Sequence, residues 1–500
     1  MIGSLVFAMA ALVAPMPSAM SPPSSQPAVA APSTRPVLRL RTEAAGGVHM
    51  SSGGGGSRSG GAGPAAPAPP VPAALPGSRA LSPASAVSVA SVLLSTFLNL
   101  LGFTMTIPIN VALRDHFGLG MGASFGSLSS AYPLGTFGAL FLWPRLSDRV
   151  GRRPVMALSL GGTGLGLALQ AMSVARGWPV AAFLGCRFLT GCCAGASPVG
   201  KALLADIGAA TGQLPRFMAW RDASTTMAFI LGPLIGGWLF ESTGSLATVI
   251  SATAAGCILA GIGVGLFTRE PLHPPPRKAG EEDTGGVTPP PDETIVACPL
   301  GRQLVTAIAT VCCVSALYNC GSATFAAFFG PLSQDVCGLN VRQIGLAHTM
   351  LASVSFMTST LFAARAQRAM GTVFTCAVGL STVAASLLGM GAITRLSPLG
   401  QAGVLAFWAM AGLYQVGVPL YAPTVPTMLL QCVPRHQRGT IMGLDEAINT
   451  VARVAAPLLF GGLYASRGPF ACFAAAAAAV LTAAAVAVIR RFVVLRGIYA

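Results

Sequence analysis

From residue 84 to the end of the chain, apolar stretches recur that are about 18 residues or longer and nearly free of charge. Each is long enough to cross a bilayer as a helix. Within lipid every backbone N–H and C=O must find its partner inside the protein, which leaves only helices and closed barrels as spanning structures. A barrel would alternate apolar and polar residues along short strands, whereas these stretches are continuously apolar. Helices are therefore expected. Composition agrees: 53% of the 500 residues are hydrophobic and 9% are charged, against about 25% charged in a water-soluble domain.

Twelve spans can be counted, centred near residues 97, 133, 164, 190, 231, 257, 316, 354, 382, 412, 452 and 481. Most connections are short, as neighbouring helices require. The sixth is not. Residues 269–300 hold Glu270, Glu281, Glu282, Asp283, Asp292 and Glu293 together with proline runs at Pro274 to Pro276 and Pro289 to Pro291. This polar linker, expected to be disordered, separates a first lobe at 84–268 from a second at 301–495. The expected fold is all-α: twelve transmembrane helices in two six-helix lobes.

Residues 1–83 differ in composition. Leu5 to Ala14 form a short apolar core ended by Pro15. A Ser/Pro/Ala/Gly-rich tract follows, with Arg35, Arg39, Arg41, Arg58 and Arg79 against the single acid Glu43. A signal-like core followed by an acid-poor, arginine-bearing tract matches a two-part plastid address. A plain disordered tail is the alternative, with the plasma or vacuolar membrane as destination.

The net charge of +15 does not point to nucleic acid, because the arginines stand singly or in short connections. Connections after even-numbered spans, with the C-terminal tail, carry 18 basic residues; those after odd-numbered spans carry 5. By the positive-inside rule the even connections and the N-terminus face the cytoplasm or stroma. The twelve cysteines sit mostly inside apolar runs with no CxxC, so they are read as small buried hydrophobes, not metal ligands or disulfides. The run Gly53 to Gly56 has no Lys-Ser/Thr after it and is linker chemistry. No metal, cofactor or enzymatic constellation is expected.

The two lobes resemble each other internally. A shift of 220 carries Asp148–Gly151 onto Arg368–Gly371, Arg145 onto Arg365, Gly118 onto Gly338 and Asn99 onto Asn319. A shift of 224 carries Asp222 onto Glu446, Pro233 onto Pro457 and Gly237 onto Gly461. Duplicated lobes imply a shared site between them near mid-membrane.

Several motifs now carry a resemblance. The basic stretch after span 2 contains Pro144, Arg145, Leu146, Asp148, Arg149, Gly151, Arg152 and Arg153; span 4 contains Arg187 and Gly191; span 5 reads Gly232, Pro233, Leu234, Ile235, Gly236, Gly237. Span 1 reads Phe97, Leu98, Asn99, Leu100, Leu101, Gly102, Phe103, then Pro108. Over residues 84–495 the chain resembles the major facilitator superfamily, and within it the drug:proton antiporters that include tetracycline and multidrug exporters. Pro144 replaces the leading glycine of the family's loop motif, and Asn99 stands where many proton-driven relatives have an acid.

The resemblance implies a secondary transporter of a small organic molecule working by alternating access, antiporter- or exporter-like, embedded as a monomer in the bilayer. Asn99, Arg187, Tyr318, Asn319, Trp408, Tyr414 and Gln415 are expected at the cavity. Arg145, Asp148, Arg149, Gly151, Arg152 and Arg153 are expected to gate, with Asp148 beside the start of span 11 near Gly439 to Met442. Gly232, Pro233, Gly236 and Gly237 are expected to pack span 5 against the other lobe. Arg187, Asp222 and Glu446 are candidates for coupling to protons, although Asp222, Asp445 and Glu446 all lie toward the cytoplasmic ends of spans 5 and 11. Arg453 is expected to pair across the lobes, and His348 to serve packing. Because an amide cannot load a proton, Asn99 keeps open a proton-independent facilitator or anion exchanger of the same fold. A non-transporting sensor or scaffold is the remaining alternative.

Overall fold

The computed structural model describes residues 82–270, 302–396, 400–432 and 438–493. The expected N-terminal segment, up to residue 81, and most of the sixth connection lie outside them. Among the described residues, ten helical stretches are long and apolar enough to cross a membrane. One of these, within Arg438–Val493, is two spans joined at Gly468, whose φ of 83° and ψ of 176° no helix accommodates. The twelfth is Ala123–Val150, the second span, which carries Pro133, Pro144 and several serines.

The first lobe comprises span 1 (Pro83–Met105), span 2 (Ala123–Val150), span 3 (Arg152–Ala175), span 4 (Val180–Cys192 and Ala196–Thr211), span 5 (Leu214–Thr243) and span 6 (Leu246–Phe267). The second comprises span 7 (Arg302–Cys337), span 8 (Val341–Thr358 continuing to Met370 through a π-helical turn), span 9 (Thr372–Ile393), span 10 (Gln401–Tyr421 and Thr424–Cys432), and spans 11 and 12. Local chemistry sets the ends. Ser82 accepts from the Ser85 amide ahead of Pro83, and Asn340 forms a reciprocal capping box with Gln343.

The duplication is visible in the backbone. Gly118 and Gly338 (φ 61° and 67°), Gly151 and Gly371 (113° and 78°), and Gly244 and Gly468 (64° and 83°) are equivalent positions, all at positive φ, which L side chains rarely adopt. The turn after span 2 is tighter than the basic stretch suggests. Pro144 to Val150 remain helical, and Gly151 alone separates spans 2 and 3.

Span 2 packs on span 11, and span 5 on span 8, joining the lobes. The two contacts are copies of one another. A Cβ on Gly126 would run into the Pro457 carbonyl, and one on Gly345 into the Pro233 carbonyl. One turn on, the Ser130 hydroxyl donates to the Val454 carbonyl at 2.8 Å, and the Thr349 hydroxyl to the Ile230 carbonyl at 2.7 Å. In each case the acceptor stands three residues before the proline that distorts its helix. Nearby, Arg114 reaches Gln334 and Asp335, and Arg342 meets Glu241 at 2.8 Å. These contacts cluster toward the odd-numbered connections, so the structure is the conformation closed on that face.

Candidate functional site

In span 5 the glycines divide their work. A Cβ on Gly232 would strike Thr104 and one on Gly236 would strike Met105, both on span 1 of the same lobe. Only Gly237, against Val341 and Arg342, and the carbonyl of Pro233 face the other lobe. The expectation that this motif as a whole packs between lobes is thus corrected: half of it seats span 5 on span 1, where Thr104 donates to the Ala228 carbonyl at 2.8 Å.

The basic stretch also differs from expectation. Asp148 pairs with Arg152 at 2.7 Å, one turn along its own lobe, and its side chain is 62% exposed. Arg152 also bonds Asp206 at 3.2 Å, on span 4, and Ser147 at 2.8 Å. Arg153 donates to the Gly265 carbonyl at the end of span 6. Glu270 caps the start of span 3, its carboxylate accepting from the Arg152 and Arg153 amides. Arg145 and Arg149 are exposed. The stretch therefore ties spans 2, 3, 4 and 6 together. With the lobes closed at the opposite face, Asp148 is turned to its own lobe rather than to the start of span 11.

Arg187 lies on span 4, half-buried, its guanidinium 5.9 Å from the ring of Phe183, with Tyr132 of span 2 beside it. Among the described residues no carboxylate pairs with it. The motif's glycine positions this turn, because a Cβ on Gly191 would strike the Tyr132 carbonyl and one on Gly135 the Phe188 carbonyl.

Asn99 borders a cleft of about 140 Å³ between spans 1, 4 and 5, together with Ser95, Thr96, Ser197, Arg221, Thr225 and Phe229. Arg221, missed at the sequence level, is its cation. Its side chain is 12% exposed, NH2 donates to Ser197 at 3.1 Å, and the buried Nε has no acceptor. Asp222, a coupling candidate, is 75% exposed and only 3.4 Å from Arg221. Its carboxylate faces solvent and does not line the cleft.

In the second lobe Asn319 is 8% exposed; its amide donates to the Ser315 carbonyl at 2.8 Å and its oxygen accepts from Arg453 Nε at 2.9 Å. Arg453 also meets Glu446 at 3.0 Å. The expected cross-lobe pairing of Arg453 is corrected: both partners belong to its own lobe, because two helical turns bring Glu446 within reach of so long a side chain. Asp445, which the sequence places toward the cytoplasmic end of span 11, is 8% exposed and accepts from Asn449 at 2.9 Å.

The aromatic candidates are packed, not open. Trp408 is 2% exposed between Phe329 and Phe407, and Tyr414 is 3% exposed and stacks on Phe325 at 3.9 Å. Tyr318 packs against Tyr421, the rings tilted by 33° with centroids 4.0 Å apart, while Gln415 is half-buried. His348 Nδ1 donates to the Ile344 carbonyl at 2.9 Å and the ring meets the edge of Phe329, the packing role expected of it. Rings in an otherwise apolar helix bundle bury more area against one another than they would at a wet wall. Residue type alone does not reveal which face they occupy.

Residues 92–414 match the Major Facilitator Superfamily. The chain is 34% identical over 153 residues to the class B tetracycline resistance protein of Escherichia coli, covering 30% of this chain and 36% of that one. It is 32% identical over 186 residues to major facilitator superfamily domain-containing protein 10 of Mus musculus, covering 31% and 40%. Both matches span well under half of the relative's length. The crystal structure of the human organic anion transporter MFSD10 superposes with a TM-score of 0.57 at 20% identity, covering 81% of this chain and all of that one. Twelve helices in two duplicated lobes, the span 2 and span 5 motifs, and these matches have one common meaning. The chain is an integral, multi-pass membrane protein and belongs to the major facilitator superfamily of transporters.

Proposed function

We propose that this transporter moves a small organic anion by alternating access, its two lobes rocking about a site between them. The observation that carries the reading is Arg221, a largely buried guanidinium with an unsatisfied Nε, facing a polar cleft beside Asn99. A buried cation short of an acceptor is stabilised by an anionic ligand, which supplies both charge and hydrogen bonds. Arg187, with no carboxylate partner among the described residues, adds positive potential within the same lobe. The human structural neighbour is described as an organic anion transporter, which is consistent with this class of cargo.

In this reading Asp148, Arg149 and Arg152 gate the even-connection face. In the opposite conformation Asp148 leaves Arg152 and approaches the start of span 11, where the helix dipole favours an acid by about 0.3–1 kcal/mol. Efflux of the cargo is consistent with the likeness to a tetracycline resistance protein. The composition of residues 1–83 supports a plastid membrane, with the even connections on the stromal side.

The reading is tested in liposomes holding the purified full-length protein. Counterflow of radiolabelled p-aminohippurate, an aromatic carboxylate, is expected, and of tetraethylammonium is not. Arg221→Gln and Arg187→Gln should each weaken apparent affinity for the anion by about tenfold or more, the cost of losing a charge-assisted bond. Faster flux of the cation, or none of either probe, overturns the proposal. Asn99 favours a second reading, proton-independent exchange, which predicts flux indifferent to an imposed pH gradient.

A further inference from the structure

The duplication places one more pair of residues at equivalent positions. The shifts of 220 and 224 that relate the lobes carry Ser95 onto Ser315, Asn99 onto Asn319, Arg221 onto Asp445 and Thr225 onto Asn449. The wall of the first lobe's cleft, between spans 1 and 5, thus has a counterpart between spans 7 and 11. Where the first lobe holds a buried cation, the second holds a buried acid.

Asp445 Oδ2 accepts from Asn449 at 2.9 Å and lies 3.4 Å from the Ser315 hydroxyl. Its other oxygen is buried without a partner, and so is the side-chain oxygen of Asn449. The ionisable groups facing it are Cys312 from span 7, Tyr421 from span 10 and Glu446 from its own span. None is cationic, and among the described residues no Lys or Arg pairs with it. A carboxylate buried with neutral donors on one oxygen, another acid on the next residue and no cation is costly to keep as an anion. Adding one proton removes the charge and turns an unpartnered acceptor into a donor.

We infer that Asp445 is the group on which this transporter carries a proton together with its anionic substrate, an inference that rests on the anion-transport reading. A hydrogen-bonded chain connects it to the exposed part of the lobe. Glu446 holds Arg453, Arg453 holds the Asn319 oxygen, the Asn319 amide holds the Ser315 carbonyl, and the Ser315 hydroxyl faces Asp445. Arg453 and Glu446 are 41% and 45% exposed. An anion that draws Arg453 from Glu446 loosens Asn319 and Ser315, and so changes the support of the acid. Asp445 takes its proton from water at one face and returns it to water at the other. One proton moving with one monoanion is electroneutral.

The test uses full-length protein in liposomes with p-aminohippurate as probe. With acid outside, wild-type protein should accumulate the probe about tenfold per pH unit of gradient. Asp445→Asn should lose this accumulation while still exchanging probe for probe, and Asp445→Glu should restore it. Infrared difference spectra recorded across a pH step should show a protonated-carboxyl C=O band in wild type that Asp445→Asn lacks. Accumulation by Asp445→Asn, or persistence of the band, overturns the inference. If Asp445→Asn loses both modes, recovery of exchange without accumulation in Asp445→Glu also overturns it. If wild-type protein exchanges no probe at all, the anion reading fails, and the infrared comparison still decides whether Asp445 holds the proton.

Discussion

Substituting alanine at Gly126 or Gly345 tests whether the two pseudo-symmetric contacts hold the closed face. At either position a Cβ would overlap a backbone carbonyl of the opposing lobe, Pro457 or Pro233, and a backbone atom cannot swing aside as a side chain can. Overpacking of this kind costs about 1–3 kcal/mol. Alanine's better helix propensity does not offset it, because both conformations keep the helix and the gain cancels between them. The cost therefore falls on the closed arrangement alone and shifts the conformational equilibrium roughly 5–150-fold toward the face of the odd connections opening. Spin labels at Asp115 and Arg467, in connections after spans 1 and 11, would report the shift as a population at longer distance. Gly138→Ala, where a Cβ meets nothing within 4 Å, is the control. If Gly126→Ala and Gly345→Ala both melt like wild type and leave the distance distribution unmoved, these contacts do not hold the face shut.

Removing the matching hydroxyls with Ser130→Ala and Thr349→Ala should shift the same distances more weakly, by about 0.5–1.5 kcal/mol each, the net worth of one hydrogen bond. Arg342→Ala should do little, under about 1 kcal/mol, because both partners of its cross-lobe ion pair are roughly half exposed (57% and 44%); a large change in distance or melting would show that exposure misjudges it. Asn340→Ala, which removes the capping box of span 8, should lower thermal stability by the equivalent of about 0.5–2 kcal/mol without altering probe affinity. Gly151→Ala should destabilise the first lobe, since φ of 113° is strained for alanine and its Cβ would press on Glu270 at 3.0 Å, read out as a lower melting temperature.

Much of this protein follows from the order of its residues. Apolar length sets helices across a bilayer, because lipid offers backbone groups no partner. The glycines at 118, 151, 338 and 371 mark turns that only a left-handed residue makes easily, and the repeat shows in them before any coordinate is known. Tertiary structure decided what depends on which face a side chain occupies. Gly232 and Gly236 seat a neighbour in their own lobe, Trp408 and Tyr414 lie inside an aromatic core, and Arg453 pairs with Glu446 two turns away. Asp445 lies toward the end of span 11, and Arg221 drew no notice in the sequence, yet neighbouring spans bury both. The physical reason is that a hydrophobic run fixes depth and direction, whereas rotation about the helix axis is set by neighbours that arrive from far along the chain.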